Sequence, residues 1–205
     1  INTALAEKDK KILENNINFE LNSEDDFLTA EASVFEDLSI SSNKKYEYIF
    51  PHITYDKNLV SSEKYGFFDL RSNLKFRNFE TDKTKQLFVN DFNWKSKKWA
   101  SDFGLENQLT GTIKTVNYES KNVDGFKNNE FNSEISSAVG LISKLPLLKI
   151  KENMLQTLTP KLLFRYSPTH IRDVDDKIRL NYSNIFKLNR IGEIDVLENG
   201  LSATY

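Results

Sequence analysis

The sequence predicts an all-β protein whose strands pair antiparallel. Apolar and polar residues alternate with a period of two in one segment after another, which gives each strand one apolar and one polar face. Clusters of asparagine, aspartate and serine separate these segments, and such residues favour turns. The pattern predicts roughly nine to eleven strands of about ten residues, which is too many for a small sandwich.

The predicted strands follow one another from the N-terminus. Residues 1–15 are interpreted as a polar loop that leads into a strand, in which apolar and polar residues alternate from Ile17 to Leu21. The acidic cluster at 23–26 predicts a turn, and a second strand follows from Leu28. The later strands are predicted, in order, at 46–55, 70–79, 88–95, 101–119, 131–141, 158–166 and 200–205.

The strand at 70–79 shows the clearest division between its two faces. One face carries Leu70, Ser72, Leu74 and Phe76, and the other carries Arg71, Asn73, Lys75 and Arg77. Cations on one strand face cannot line a dry core without partners, because burying an unpaired charge is very costly. We therefore expect this polar face to meet water, or a water-filled lumen with acidic partners such as Asp91.

Two tryptophans flank the short polar turn that follows the strand at 88–95. Trp94 and Trp99 enclose this lysine-rich turn. Aromatic residues beside turns are typical of the belt at a membrane–water interface. The other interpretation is a pair of half-buried tryptophans on a soluble sheet.

The C-terminal stretch 155–205 combines two amphipathic strands with a long polar segment between them. From Leu158 to Tyr166 one parity is apolar throughout, and the other is polar except at Leu163. The chain returns in a second extended segment at 200–205. The preceding stretch, 144–154, predicts either a turn or the junction of two strands.

Composition excludes several classes of protein. The chain has 205 residues and no cysteine, which excludes disulfides, thiolate metal sites and a cysteine nucleophile within it. Its net charge of −2 and its pI of about 5.8 do not favour binding to nucleic acid. It has no apolar run of about 18 residues, and its mean hydropathy of −0.54 suits a soluble protein or a transmembrane barrel.

The sequence carries no recognisable catalytic or metal-binding motif. His52 and His170 lie far apart and have no partners at the spacing of metal ligands. The acidic cluster from Asp173 to Asp176 lacks the glycine and glutamate that a calcium loop needs, so a solvated or ion-paired loop is favoured. No Ser-His-Asp order, P-loop or pair of catalytic carboxylates is evident. We therefore expect a protein that is not an enzyme and has no cofactor.

A set of weak motifs in the C-terminal stretch resembles a known family. The motifs are a strand with two prolines, an Asn-x-Phe segment in the long loop, an Asn-Arg step, Gly-x-x-Asp and a strand that begins with glycine. The residues that match are Leu158, Pro160, Pro168, Asn184, Ile185, Phe186, Asn189, Arg190, Gly192, Asp195, Glu198 and Gly200. A second match lies at 46–98. Together they resemble the β-barrel region of the lipopolysaccharide-assembly family LptD, also called OstA or Imp, over about residues 16–205.

The resemblance implies a large transmembrane β-barrel of the bacterial outer membrane. Residues 1–205 would form an incomplete, open part of this one barrel domain, without the N-terminal periplasmic domain. No signal peptide is visible at Ile1, which agrees with an internal part of a longer protein. Some family members are cross-linked by disulfides, so their cysteines would lie outside this chain. In the family the lipid leaves through a lateral opening between the first and last strands, which we expect outside this chain.

The resemblance also implies the function and its partners. The protein would assemble and insert lipopolysaccharide into the outer leaflet of the outer membrane without catalysis. Its partners would be lipopolysaccharide, a plug lipoprotein in the barrel lumen, the periplasmic lipopolysaccharide-transport bridge and membrane lipids, but not nucleic acid.

The candidate site residues form two groups. The lumen-facing candidates are Arg71, Lys75, Arg77, Lys161 and Arg165. These cations either meet phosphates and carboxylates of the lipid or pair across strands with acidic residues such as Glu31, Asp37 and Asp91, and pairing is favoured. The family-motif residues of the loop are Asn184, Phe186, Asn189, Arg190, Gly192, Asp195 and Gly200.

The loop from Ser167 to Asn199 is expected to face outside or to fold back over the lumen. Phe186 and Ile191 would anchor it by apolar packing, and Arg190 would pair with Asp195.

Two alternatives to lipopolysaccharide assembly remain at this point. A porin-like passive channel shares every strand pattern described above. A soluble glycan-binding β-sandwich or solenoid also alternates, because a sandwich buries one face of each sheet and exposes the other. The apolar face decides between the membrane and soluble classes, since lipid covers it in a barrel and a second sheet covers it in a sandwich.

Overall fold

The computed structural model describes residues 11–151, 154–168, 180–191 and 193–205. These residues form twelve strands and one 3₁₀ turn at Asn43–Lys45. The strands are β1 Ile12–Asn22, β2 Asp26–Asp37, β3 Tyr46–Ser62, β4 Gly66–Phe79, β5 Lys83–Lys95, β6 Trp99–Ala100, β7 Glu106–Lys121, β8 Phe131–Lys144, β9 Leu147–Lys151, β10 Met154–Leu158, β11 Lys161–Ser167 and β12 Gly200–Thr204. Within these ranges no helix is long and apolar enough to cross a membrane.

Most strands belong to one antiparallel sheet with a simple order. Its strands run β1-β2-β3-β4-β5-β7-β8-β11-β12, and the short β6 pairs with β7. Strands β1 and β12 are its two edges, so the sheet is open. Strands β9 and β10 form a separate two-stranded ribbon. The prediction of an all-β fold with an open antiparallel sheet is confirmed.

Several strand boundaries differ from those predicted. Strand β1 begins at Ile12, inside the stretch interpreted as a loop, and β3 continues beyond residue 55 to Ser62. Within the stretch 144–154, β8 ends at Lys144 and β9 spans Leu147–Lys151, which agrees with the alternative of a junction between two strands. The strand predicted at 158–166 is interrupted at Pro160, which has no N–H to donate to a strand ladder, so Leu158 ends β10 and β11 begins at Lys161.

The described chain divides into two compact units. The first contains residues up to 56 together with 72–89 and 116–133, and the second contains 57–71, 90–115 and 134–205. In the first unit the buried face of β5 and β7 is apolar, with Leu87, Val89, Val116 and Tyr118 in its core. The Tyr118 ring meets the Phe126 ring edge-on, with 5.1 Å between centroids.

Ion pairs join the polar faces and the strand ends in the first unit. Arg77 on β4 donates to both carboxylate oxygens of Glu47 on β3, at 2.6 and 2.9 Å. At the turn between β2 and β3, Lys45 Nζ donates to Glu36 Oε1 at 2.6 Å, and this bond raises the pKa of Lys45.

In the second unit the buried face is largely polar and the exposed face is apolar. The exposed face carries apolar side chains that are 42–55% exposed, namely Phe92, Leu109, Ile113, Val139, Phe164 and Tyr166. The intervening residues on the opposite face are buried, and they include Thr112, Lys114, Ser136, Arg165 and Ser167. This distribution is the reverse of the one that water selects in a soluble protein.

Candidate functional site

The C-terminal loop, defined here as the described residues 180–191 and 193–199, lies on the buried polar face of the second unit. Three basic side chains hold it there: Lys114 on β7, Arg165 on β11 and Arg190 in the loop itself. Val196 and Leu197 of the loop are buried as well. The site is therefore a polar strand face covered by a loop that follows it in sequence.

Lys114 joins strand β5 to the loop. Its side chain is 1% exposed, and its Nζ lies 2.7 Å from Asp91 Oδ1. The same Nζ donates to the backbone carbonyl of Ile194 at 2.6 Å. A buried ammonium is tolerated only when a counter-charge and hydrogen-bond acceptors replace the water that it lost. Asp91 and the Ile194 carbonyl meet these two requirements.

Arg165 binds the loop backbone at two points. Its Nε donates to the carbonyl of Leu188 at 2.6 Å, and its Nη2 donates to the carbonyl of Glu198. The planar guanidinium presents these donors in a fixed arrangement, so it can hold two carbonyls that are ten residues apart. Arg165 is only 1% exposed. We conclude that this arginine sets the positions of both ends of the loop's inner segment.

Arg190 and Glu198 form a two-point ion pair within the loop. Arg190 Nε donates to Glu198 Oε2 at 2.7 Å, and Nη2 donates to Oε1 of the same carboxylate. Arg190 Nη1 also lies 3.3 Å from Thr204 Oγ1 on β12. Glu198 is therefore one carboxylate partner of the guanidinium, and the expected pairing of Arg190 with Asp195 stays a prediction. Asp195 is itself buried.

Close apolar packing supplements these polar bonds. Gly140 on β8 faces the loop, and a Cβ atom added there would lie 2.7 Å from Leu188 Cδ2. The same Cβ would lie 3.1 Å from the Phe164 carbonyl oxygen. Gly140 therefore allows the loop to approach the backbone of β8 more closely than any other residue would.

The predicted lumen-facing cations lie in different surroundings. Arg165 is buried against the loop, and Lys161, on the same face of β11, lies with its Nζ 5.8 Å from the centre of the Phe186 ring. Arg77 is paired with Glu47. Arg71 is exposed, and Lys75 is half-buried. That these residues face a water-filled lumen stays a prediction.

The family-motif residues mainly shape the loop. Asn184 Oδ1 accepts a hydrogen bond from the Asn181 N–H at 2.8 Å, and Asn189 Nδ2 donates to the Glu193 carbonyl at 3.2 Å. Gly200 begins β12 with a φ of +91°, a conformation that favours glycine. Phe186 and Ile191 are half-buried. Gly192 lies outside the described residues.

The residue that the sequence interpretation missed is Lys114. The sequence feature that could have identified Lys114 is its position in the alternation of β7. It shares one face with Thr112, Val116 and Tyr118, and the opposite face carries the exposed Leu109 and Ile113. A lysine on a buried strand face beside valine and tyrosine needs a carboxylate partner, because its ammonium group cannot reach water there.

No metal centre emerges from the described residues. They contain no group of three or more histidine, cysteine, aspartate or glutamate residues that could hold a metal ion. His52 Nδ1 lies 3.7 Å from Glu31 Oε2. His170 and the acidic cluster from Asp173 to Asp176 lie outside the described residues.

Fold and site together define a class: an open antiparallel sheet with an apolar exposed face, and a polar face that a loop covers. Comparison with protein families is consistent with this class and specifies the family. The family model LptD, described as LPS transport system D, matches residues 9–205. The chain therefore belongs to the LptD family. A comparison with curated proteins gives no match for the chain.

Family membership establishes the general function. The LptD family serves lipopolysaccharide transport and assembly at the outer membrane, and it is not known as an enzyme family. Its members are associated with the outer membrane, bind lipopolysaccharide and work with other Lpt components.

Proposed function

We propose that this chain forms part of the wall of a β-barrel that inserts lipopolysaccharide into the outer leaflet of the bacterial outer membrane. No catalysis is involved. The buried polar face of the strands lines the lumen, where a plug lipoprotein also binds. Lipopolysaccharide arrives from a periplasmic transport bridge, and the remaining strands of the barrel belong to a longer protein that contains this chain.

The observation that carries the proposal is the exposed apolar face of the second unit. Phe92, Ile113, Val139 and Phe164 alternate with buried polar residues, and each is about half exposed. In a β-sandwich a second sheet would cover such a face, but in the described part of the chain the only other sheet is the β9–β10 ribbon. In a membrane barrel, lipid acyl chains cover an apolar face of this kind.

The buried charges near the C-terminal loop balance one another. Lys114, Arg165 and Arg190 are cations, and Asp91, Asp195 and Glu198 are anions, all in the second unit. Three positive and three negative formal charges leave this part of the polar face neutral. The cations here bind protein groups, so the loop acts as a fixed part of the lumen lining.

Lipid phosphates therefore need other cations. Among the predicted lumen-facing residues, Arg71 and Lys161 are exposed and Lys75 is half-buried, so these three cations are accessible to a lipid. Arg77 is engaged by Glu47, which supports cross-strand pairing for that residue. We propose that the first three residues guide phosphate-bearing lipid by charge-assisted hydrogen bonds.

Spin labelling of strand β4 tests the membrane part of the proposal. Single cysteines are placed from Ser72 to Phe79 in the full barrel protein, labelled and reconstituted in bilayers. We expect labels at Leu74 and Phe76 to be accessible to oxygen, and labels at Lys75 and Arg77 to be accessible to a water-soluble nickel reagent. Shielding of Leu74 and Phe76 from both reagents would mean that protein covers the apolar face, and the proposal would be wrong.

A depletion experiment separates lipopolysaccharide assembly from passive diffusion. If the protein inserts lipopolysaccharide, its depletion from cells should stop new lipopolysaccharide from reaching the surface. A porin-like channel would instead lower the uptake of small solutes and leave lipopolysaccharide insertion unchanged.

A further inference from the structure

The β9–β10 ribbon continues the hairpin formed by β8 and β11. Lys161 pairs with Lys144 at the last rung of the main sheet, and Leu158 pairs with Leu147 at the first rung of the ribbon. The register is therefore unbroken from the sheet into the ribbon. The five ribbon pairs extend the hairpin by roughly 16 Å, at about 3.3 Å per residue.

Two prolines separate the ribbon from the sheet. Pro146 and Pro160 lie in the gap between the two ladders, and neither has an N–H to donate. The gap is bridged by a hydrogen bond from Leu145 N to the Pro160 carbonyl, at 3.1 Å. Because the ladder is weakened there, the ribbon can bend relative to the strands that carry it.

The ribbon exposes apolar side chains on both of its faces, and one face also carries Lys149, Lys151 and Gln156. The exposed fractions are 47% for Leu147, 60% for Leu148, 74% for Ile150, 50% for Met154, 66% for Leu155 and 64% for Leu158. An isolated two-stranded ribbon is only marginally stable in water, and this one gains little from its own packing. Such a concentration of exposed apolar side chains indicates a surface that something else covers.

The charge of the ribbon indicates what covers it. The sequence from Lys144 to Lys161 contains four lysines, Lys144, Lys149, Lys151 and Lys161, and one carboxylate, Glu152, so it carries a net positive charge. Leucine, isoleucine and methionine interspersed with lysine are typical of segments that lie in the interface of an anionic membrane. A second copy of the ribbon would be disfavoured by repulsion between the same lysines.

Aromatic side chains place the membrane interface at the base of the ribbon. Trp94 lies at the end of β5 on the apolar face, with its ring centre 6.4 Å from that of Phe68. Ser143 Oγ donates to Asn107 Oδ1 at 2.7 Å, so the end of β8 lies beside the start of β7. Both lie at the end of the strands where β5 finishes, just after Trp94. Aromatic residues at strand ends mark the lipid–water boundary in membrane barrels.

We propose that the β9–β10 ribbon bends at Pro146 and Pro160 and lies in the headgroup layer of an anionic lipid bilayer. Its leucine, isoleucine and methionine side chains enter the boundary of the acyl chains, and Lys149 and Lys151 bind lipid phosphates. The inference rests on the proposed barrel function. An upright ribbon of roughly 16 Å would extend beyond a headgroup layer of roughly 5–8 Å, so the bend is required.

Environment-sensitive labels test this proposal in the full barrel protein. A cysteine at Ile150 is labelled with a fluorophore, and a matched cysteine at Phe164 on the wall of β11 reports the lipid contact of the barrel itself. Each protein is placed in vesicles of phosphatidylcholine alone or with phosphatidylglycerol added. Lipids brominated near the headgroup quench a label that lies in the interface.

We expect the Ile150 label to be quenched, and more strongly in the anionic vesicles. Replacing both lysines, Lys149→Gln and Lys151→Gln, should lower the equilibrium between the membrane-bound and free ribbon by about fivefold or more. The Phe164 label should stay in contact with lipid in every case.

The other outcomes are distinct. An Ile150 label that stays in water while the Phe164 label meets lipid would overturn the ribbon proposal and leave the barrel function intact. If neither label meets lipid, the barrel function itself fails. Quenching that is independent of anionic lipid and of both lysines would overturn the phosphate contact, and disulfide cross-linking between two Ile150→Cys copies would show that a second copy covers the ribbon.

Discussion

Lys114 Nζ lies 2.6 Å from the backbone carbonyl of Ile194, a residue 80 positions further along the chain. One end of this contact is in the middle of β7 and the other is in the C-terminal loop. A backbone carbonyl accepts this bond whatever side chain residue 194 carries. The position of the loop is therefore determined by a strand residue, and substitutions at Lys114 test it directly.

Lys114→Met should release the loop and destabilise the protein. The change keeps an unbranched side chain but leaves Asp91 and the Ile194 carbonyl without their shared donor. Removing one partner of a buried ion pair costs about 3–5 kcal/mol. We expect a loss of about 3 kcal/mol in the free energy of unfolding, measured by urea denaturation in detergent, and faster trypsin cleavage after Arg190, which is buried while the loop is bound.

The matched control is Lys97→Met, because Lys97 is an exposed lysine in the turn after β5. It should change stability by no more than about 0.5 kcal/mol. Equal effects of the two substitutions would show that Lys114 does not hold the loop.

Arg190 and Glu198 should be strongly coupled in a double-mutant cycle. Arg190→Ala and Glu198→Ala each remove the same two-point bond, so the double variant should be less destabilised than the sum of the two. The expected coupling is about 1–3 kcal/mol in the free energy of unfolding. A parallel cycle with Asp195→Ala tests the pairing that the sequence suggested. The coupling of Arg190 with Glu198 should be the larger, and a larger value for Asp195 would show that Asp195 is the stronger partner.

The strands could be predicted from the sequence because their signal is local. Each strand shows its two faces through its own alternation, as β4 does with Leu74 and Phe76 against Lys75 and Arg77. The ends of strands near a proline were harder to predict from the sequence. The ribbon at 147–158 follows the same alternation only weakly, because apolar residues are adjacent at Leu147–Leu148 and at Met154–Leu155 and give no clear parity.

The site was only partly predictable, for a physical reason. Arg165 and Arg190 were identified as candidates, the first from its strand parity and the second from the family motif. The pairing of Arg190 with Glu198 was not predicted, because three acidic residues follow Arg190 closely and only the path of the backbone selects among them. The contacts of Lys114 and Arg165 with loop carbonyls have no sequence signal, since every residue has a carbonyl.

Gly140→Ala should displace the loop from β8. The added Cβ would lie 2.7 Å from Leu188 Cδ2, which can move, but also 3.1 Å from the Phe164 carbonyl oxygen in the neighbouring strand, which cannot move freely. Overpacking of this kind typically costs about 1–3 kcal/mol. Unfolding in urea should show this loss, and Leu188→Ala in the same protein should recover part of it.

Gly111→Ala is the control for this prediction. Gly111 is inside β7, where an added Cβ would meet the nearest atom, Trp94 Cε3, at an ordinary 3.5 Å. It should be neutral or slightly stabilising, because alanine restricts the unfolded chain more than glycine does. If Gly140→Ala is equally neutral, the loop does not pack against β8 as described.

Arg165→Lys should loosen the loop although it preserves the charge. Arg165 reaches the Leu188 and Glu198 carbonyls with two separate nitrogens, whereas a lysine ammonium is a single point and cannot reproduce that fork. We expect trypsin cleavage after Arg190 to become about tenfold faster, which corresponds to about 1.4 kcal/mol of lost loop stability.

Lys161→Arg provides the comparison on the same face of β11. The Lys161 ammonium lies 5.8 Å from the centre of the Phe186 ring, and a guanidinium also stacks on aromatic rings. Cleavage in that variant should stay within about twofold of the parent protein. An Arg165→Lys protein that resists trypsin as well as the parent would show that charge alone holds the loop, and that the geometry of the two carbonyl bonds does not matter.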